Sequence, residues 1–459
     1  MHPFARQTYR QTFPGRGSCT LILLMIFCIA AATALALPRN QQDTELEKSS
    51  ERLFLEAETY FTAKNYWAAA RDLVIVLDFN PDFARTDRVV FMLGECLYEI
   101  GLPLGATRLY QHLITRHLRS PLLPEAMLGL QRIEYDRQDY TRCIDHHQAI
   151  FRSRPSSPVA NAANYFAGLA YYHLRDFPKT IELLSRISLT SSYYPHGQYT
   201  LALAQMRMRQ VPRAIMTLRT ICTMAVENDE MRALIDETHL TLGYLYYELQ
   251  YYDRAHKEFL QVSAIHENQD AALLAMGWSL LQQGELTAAI APLTELVQRF
   301  PTRKYAEEGL FLLGRCYMSL KQYDDAIRIY DHLIRLFPSS ETMPAIKEEA
   351  QGVLLDESIA VEHIKTDLLV MESNLLDALP LQGDEHFLPH YYGNERNRII
   401  ESRQGILRRI QEERMKIDAA FEEIQYLREL LVRKQSRQDW RAYAEYSKSR
   451  ALFMQSMQP

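Results

Sequence analysis

The sequence predicts an all-α protein, a helical solenoid over residues 50–340 followed by a C-terminal coiled-coil helical hairpin. Three observations carry this expectation. One residue pattern returns eight times, starting near positions 50, 87, 124, 161, 195, 236, 270 and 307, a period of about 34 to 37 that fits paired helices. Past the last copy, the apolar spacing changes to a heptad. The composition, 47% hydrophobic and 24% charged with 17 glycines in 459 residues, is that of an ordinary helical soluble protein.

At the N-terminus, Arg6, Arg10 and Arg16 precede an uncharged run over residues 20–37, with no acidic residue before Asp43. This is the layout of a secretory signal peptide. Its strongly apolar part, residues 21–32, is short for a bilayer span, which takes roughly 20 residues, and Ala34-Leu35-Ala36 supplies a small-x-small site before Leu37. Residues 1–36 are therefore expected to be removed, residues 37–49 to be a linker, and the protein to be exported to the periplasm. The alternative is an uncleaved inner-membrane anchor over residues 18–37, which would associate the protein with the membrane. A lipoprotein is disfavoured, because Cys28 follows the bulky Met25-Ile26-Phe27 and Cys19 precedes the apolar run.

The clearest repeat orders Leu313-Gly314, Tyr317, Tyr323, Ala326, Ile327, Tyr330, Leu333, Ile334 and Pro338. Gly314 lets the first helix of the pair approach the second, Ala326 does the same from the other side, and Pro338 stops the second helix. The same small residues recur as Gly277 with Ala289, Gly243 with Ala255, Gly94 with Ala106, and Ala57 with Ala69. Two copies are degraded. One has Gln131 and Cys143 at the small positions, and the other keeps only Ala202, Ala214 and Leu218. The longest step, between the fifth and sixth starts, holds an insertion around 224–232. Such pairs form one continuous solenoid, because each leaves an apolar face that only its neighbour can cover.

The four cysteines past the signal, Cys96, Cys143, Cys222 and Cys316, fall at packing positions and read as free thiols, with no C-x-x-C among them. After the repeats, residues 341–378 carry Leu354, Val361, Leu368 and Leu375 at one heptad position and Ile364, Met371 and Ala378 at the other. Residues 394–459 carry Ile410, Ile417, Ile424 and Leu431, then Ile399, Ile406, Ala420 and Leu427, with Glu413 as a flaw in the seam. The loop 379–393 between them contains two prolines and two glycines and must break the helix. The simplest reading is an antiparallel hairpin whose seams bury each other, and the rival is a homodimer through the second helix. The last segment, with Trp440, Tyr443, Tyr446 and Phe453, either extends that helix or docks on the repeats.

A net charge of -6 and no basic stripe in the repeats argue against nucleic acid. No metalloprotease, phosphate-loop, dinucleotide-binding or nucleophile-elbow motif is present in the sequence. Asp384, Glu385, His386 and His390 resemble a ligand set, but Pro389 keeps the two histidines off one helical face, so an exposed loop is the better reading. His147 takes a packing position and reads as a half-buried core imidazole. No catalytic activity, cofactor or metal is expected.

The glycine, tyrosine, alanine and proline spacing of residues 305–338 resembles the tetratricopeptide repeat. In that family the first helix of each pair lines a concave groove through its second, fifth, ninth and twelfth positions. The resemblance therefore places Phe54, Glu58 and Phe61 in the groove, then Phe91, Glu95 and Tyr98, then Arg132 and Tyr135. Tyr165, Tyr172, Tyr199, Tyr244, Tyr247, Trp278, Phe311 and Arg315 continue it. Aromatic rings with arginine make up interface hot spots. Roughly half of these rings are expected to pack only between neighbouring repeats. The asparagine and lysine arrangement that clamps a C-terminal carboxylate in some family members is missing. The stretch from Phe300 to Ser340 is similar to repeats of two bacterial envelope proteins, the lipoprotein of the outer-membrane β-barrel assembly machinery and the Tol-Pal-associated division coordinator. It departs from the first in lacking a lipobox and from the second in the C-terminal place of its heptads. The resemblance implies a non-enzymatic periplasmic scaffold that binds unidentified protein partners in envelope assembly or maintenance. Its alternatives are an accessory module of a cell-wall enzyme and an inner-membrane-anchored assembly factor.

Overall fold

The computed structural model describes residues 39–301, 303–336, 358–368, 405–417 and 440–457, with the single positions 352, 355 and 370. No strand occurs among the described residues. Up to residue 336 the helices form eight pairs: α1 (Arg39–Thr62) with α2 (Tyr66–Phe79), α3 (Thr86–Glu99) with α4 (Pro103–Arg116), α5 (Leu123–Asp136) with α6 (Tyr140–Arg152), and α7 (Ser157–His173) with α8 (Phe177–Leu184). The series continues with α9 (Tyr194–Arg207) and α10 (Val211–Cys222), α11 (Asp229–Glu248) and α12 (Tyr252–Phe259), α13 (Gln269–Gln283) and α14 (Leu286–Arg299), and α15 (Ala306–Ser319) and α16 (Tyr323–Arg335).

Each helix packs on its sequence neighbours. From α3 onward the first helices of successive pairs also meet each other, whereas the second helices stay apart, so the stack curves with the first helices inside.

Every pair is closed by the same turn. Lys64, Gly101, Gln138, Arg175, Arg209, Gln250, Gly284 and Lys321 all adopt positive φ, at successive steps of 37, 37, 37, 34, 41, 34 and 37 residues. Those are the spacings of the repeat starts read from the sequence. At each turn the left-handed residue donates three residues back and its successor five residues back, as in Gln138 N–H to Tyr135 and Asp139 N–H to Glu134, which is the Schellman pattern. A left-handed residue other than glycine costs about 1 kcal/mol, and six of the eight turns bear that cost. Asn65, Asp139 and Asp176 then cap the second helix through their side chains.

The small positions work as the sequence predicts. A Cβ on Gly314 would stand 2.5 Å from Tyr330 Cε1, so only glycine admits that ring between the helices. Ala326, Ala289, Ala255 and Ala106 are fully buried opposite. In the degraded third copy Gln131 is buried and its Nε2 donates to the Ala163 carbonyl at 3.0 Å, which replaces close apolar packing by a hydrogen bond. Cys96, Cys143 and Cys316 are buried free thiols whose pKa values burial pushes to about 12, 12 and 11, and Cys222 is half-buried and free.

Three expectations change. The helix begins at Arg39, so residues 39–49, read as a linker, form the first turns of α1, and Glu47 accepts from Asn80 Nδ2 at 2.8 Å and Ala84 N–H at 3.2 Å. The insertion near 224–232 is a loop only to Asn228, because α11 starts at Asp229, with the Asn228 side chain accepting from Met231 N–H at 2.7 Å. The described heptad residues do not bury one another alone. Leu368, Ile410 and Ile417, with the neighbouring Leu407, share one apolar core with Leu73, Leu77, Leu97 and Leu102 of the first two repeats, whose end would otherwise expose an uncovered face. The loop 379–393 and most of both heptads lie outside the described residues. The helical segment 440–456 docks on the last repeat: Ala444 is buried with Leu310, Tyr330 and Leu333, and Lys448 Nζ reaches Asp331 at 2.6 Å.

Candidate protein-binding groove

The concave face differs along its length. At its N-terminal end Phe61 of α1 and Phe91 of α3 are half-buried, and together with Met92, Pro121 and Leu122 they wall an apolar cavity of about 790 Å³. Arg88 crosses its edge to Glu58 at 2.6 Å. Beyond it, Arg132 grips Glu95 through two contacts at 2.7 and 2.8 Å and stacks on the Tyr98 ring at 4.4 Å. Tyr110 Oη donates to the same Glu95 at 2.6 Å, and Tyr98 Oη donates to Asp136 at 2.7 Å. Burial works against the Arg132 charge, but Glu95 overrides it and holds the guanidinium charged. Burial and Asp136 raise the Tyr98 phenol. The sequence pattern placed Glu95, Tyr98 and Arg132 on the inner helices, but it carried no sign of the network that fixes them to each other.

In the middle, Tyr135 meets His173 at 3.3 Å and packs near Phe166, while Tyr165 lies 5.0 Å from Tyr193, ring centre to ring centre. Burial pushes the Tyr135 and Tyr165 phenols to about 12. Tyr172 packs edge-on against Phe177, and Tyr199 Oη shares a hydrogen bond with Thr241 at 2.9 Å. Further on, Tyr244 packs on Phe259 and remains 43% exposed, Tyr247 packs on Tyr252, and Trp278 Nε1 donates to Glu308 at 2.7 Å. Tyr98, Tyr135, Tyr199 and Trp278 thus tie neighbouring repeats together. Phe61, Phe91 and Tyr244 keep free area.

Phe311 is a correction. It was expected to face a partner, yet Trp440 and Tyr443 of the same chain cover it, at 5.5 and 6.1 Å between ring centres. Arg315 on the same helix is exposed. The sequence signal for that contact was the aromatic spacing of 440–453 itself, which did not say where the rings dock.

Two other clusters carry titratable groups. His147 is half-buried, as expected, with Nε2 at 3.0 Å from Asn164 Oδ1. His239 Nδ1 lies 2.8 Å from Glu258 Oε2 and 3.9 Å from Cys222 Sγ, so both neighbours approach one ring nitrogen. A base relay would need them on opposite nitrogens. Asp384, Glu385, His386 and His390 lie outside the described residues.

Residues 240–304 and 280–343 each match a family model described as tetratricopeptide repeat. The chain carries tetratricopeptide repeats over residues 240–343. Its repeats indicate a protein–protein interaction scaffold, and proteins of this class are typically non-enzymatic. Similar solved structures include a tetratricopeptide repeat protein from Parabacteroides merdae, at 10% identity over 56% of this chain and 96% of that one, with a TM-score of 0.37. Others are the C-terminal part of a repeat-containing protein from Cytophaga hutchinsonii (12% identity, 58% and 100% covered, TM-score 0.38) and the apo form of the quorum sensor NprR from B. thuringiensis (14%, 78% and 99%, 0.42). No curated protein matches the chain.

Proposed function

We propose that this tetratricopeptide repeat protein is a non-enzymatic periplasmic scaffold that holds segments of partner proteins in its concave face, in assembly or maintenance of the cell envelope. The observation that carries the binding part is the apolar cavity walled by Phe61 and Phe91 on the inner helices of the first two repeats. Half-exposed rings in a concave apolar wall gain most by covering with another apolar surface, since water solvates them poorly. The export part is supported by the basic N-terminus, the short apolar run and the Ala34-Leu35-Ala36 site. N-terminal sequencing of the protein recovered from the periplasm should begin at Leu37, and a membrane-bound form retaining Met1 would reverse that assignment.

A photo-crosslinking residue placed at Phe61 in cells should capture a partner, whereas one at Met216, 70% exposed on the outer helix α10, should not. Titration of that purified partner against Phe61→Ala should show a loss of about 2 kcal/mol, roughly thirtyfold in affinity. Capture only from Met216, with Phe61→Ala binding like the parent, would move the interaction off the concave face.

A further inference from the structure

The step of 41 residues between the fifth and sixth turns departs from the 34 and 37 of all the others. The extra residues form the 223–228 loop and an α11 of 20 residues, against 14 for α9. A cavity of about 970 Å³ opens at this junction, walled by Tyr165 of α7, by residues 189–196 and by side chains between Thr220 and Met231, among them Glu227 and Glu230. We propose that it receives a cationic side chain, arginine above all, from a protein segment held in the concave face. This deepens the groove reading and rests on it.

The lining sets the sign of the guest. Glu227 and Glu230 line it together with five serine and threonine side chains, and no lysine or arginine occurs among the described lining residues. Three carboxylates elsewhere on the inner helices each face an arginine: Glu58 meets Arg88 at 2.6 Å, Glu95 meets Arg132 at 2.7 Å, and Asp270 meets Arg303 at 3.5 Å. Glu230 has only His196, at 3.2 Å, and its side chain is 77% exposed. The N-terminus of α11 offers no competing anion seat. Asn228 caps it, and Asp229 and Glu230 fill its first turn. An anion entering here would meet two carboxylates and no cation, and an aliphatic guest would strip water from carboxylates without replacing it.

The aromatic walls complete the fit. The Tyr165 and Tyr193 rings pack at 5.0 Å, and a cation over such a face gains about 0.5 to 2 kcal/mol. Guanidinium suits the site better than ammonium, since it stacks on a ring and still pairs two-pronged with a carboxylate. At the rim Leu189 is 75% exposed, in reach of the apolar stem or flanking residues of the incoming segment.

The test uses the full chain titrated with N-acetyl-arginine amide and, separately, with the neutral isostere N-acetyl-citrulline amide, followed by saturation-transfer NMR. Arginine amide should bind with about millimolar affinity and citrulline amide about tenfold more weakly, with Glu230→Gln and Tyr193→Leu each weakening arginine by about tenfold. Glu230 is exposed, so its variant folds normally, and a matching melting curve confirms this for Tyr193→Leu. Absence of binding, equal binding of citrulline, or arginine binding unchanged in both variants overturns the proposal. Its failure leaves the Phe61 experiment, 104 positions away from Tyr165 in the chain, to judge the groove separately. If the Phe61 test fails while arginine still binds, the groove reading falls and with it the source of the side chain.

Discussion

Phe91 and Phe311 hold the same fifth position of their repeats, and each packs inward on the equivalent tyrosine, Tyr110 or Tyr330, at 6.2 Å. Outward they part. Phe91 faces a cavity edged by Pro121 and Leu122, whereas Phe311 is covered by Trp440 and Tyr443. The repeat register therefore decides what a ring packs on inside the pair, and the next element along the solenoid decides whether its other face is open. Both ends of the stack are covered by C-terminal segments, but in different places: 358–368 and 405–417 fill the core of the first two repeats, while 440–456 lies against the inner helix of the last. One end keeps its groove free, and the other does not.

The largest effect that can break this contrast is Ile410→Asp. Ile410 is fully buried with Leu97 and Leu102, so an unpaired carboxylate there should cost several kcal/mol. Because solenoid contacts are local, hydrogen exchange should show lost protection in repeats one and two with repeats seven and eight unchanged. Uniform loss over all eight would mean that the stack unfolds as one unit.

Gly314→Ala probes the other end. The added methyl would press on Tyr330, which also supports the docked 440–456 segment, at a cost of about 1 to 3 kcal/mol. Trp440 fluorescence should shift to the red as the segment loosens, and an unshifted spectrum would show that Tyr330 gives way elsewhere.

A middle repeat supplies a pH control that neither end shares. Burial lowers the His239 pKa, but Cys222 and Glu258 outweigh it and raise it to about 9. A pKa raised above its unfolded value of about 6.5 gives stability that is complete below pH 6.5 and is lost as pH rises through 9. The two side chains are 16% and 19% exposed, and desolvation offsets part of the gain, which leaves an effect on the order of 1 kcal/mol. Melting temperature should fall over that window, and Glu258→Gln should flatten the fall. A slope unchanged by the variant would assign it to other groups.

The smallest expected effect is a gain. Gln250 has φ of 63°, and Gln250→Gly should stabilise the sixth repeat by up to about 1 kcal/mol, whereas Gly284→Ala, with open space around the added Cβ but φ of 82°, should cost a similar amount. If both changes are neutral in urea unfolding, the turns are not strained.

Much of this architecture was legible because a repeat writes its constraints many times. The positions of small residues at Gly314 and Ala326, and the 37, 34 and 41 spacings, come from helix packing that recurs in every pair. The repeat register places residues on the inner helices for the same reason, but it does not give their roles. Whether Tyr98 is free or tied depends on Arg132 and Asp136, residues 34 and 38 places on, and a single-repeat template carries no such term. Phe311 was misplaced because its cover comes from residues more than a hundred positions later, through an aromatic spacing that any docked helix could carry. The heptad spacing does not name what buries it, and at Leu368, Ile410 and Ile417 the first repeats do so. The 970 Å³ cavity had one faint signal, the 41-residue step, with no residue type marking it.

The central claim is that the concave face is open to partners at its N-terminal end and closed by the chain itself at its C-terminal end. Placing the same substitution at the same repeat position tests it most directly: the crosslinked partner is titrated against Phe91→Ala and Phe311→Ala, with folding checked by circular dichroism. The account predicts a roughly thirtyfold loss of affinity for Phe91→Ala, about 2 kcal/mol, and an unchanged affinity for Phe311→Ala. Equal losses, or a loss at Phe311 alone, would contradict it.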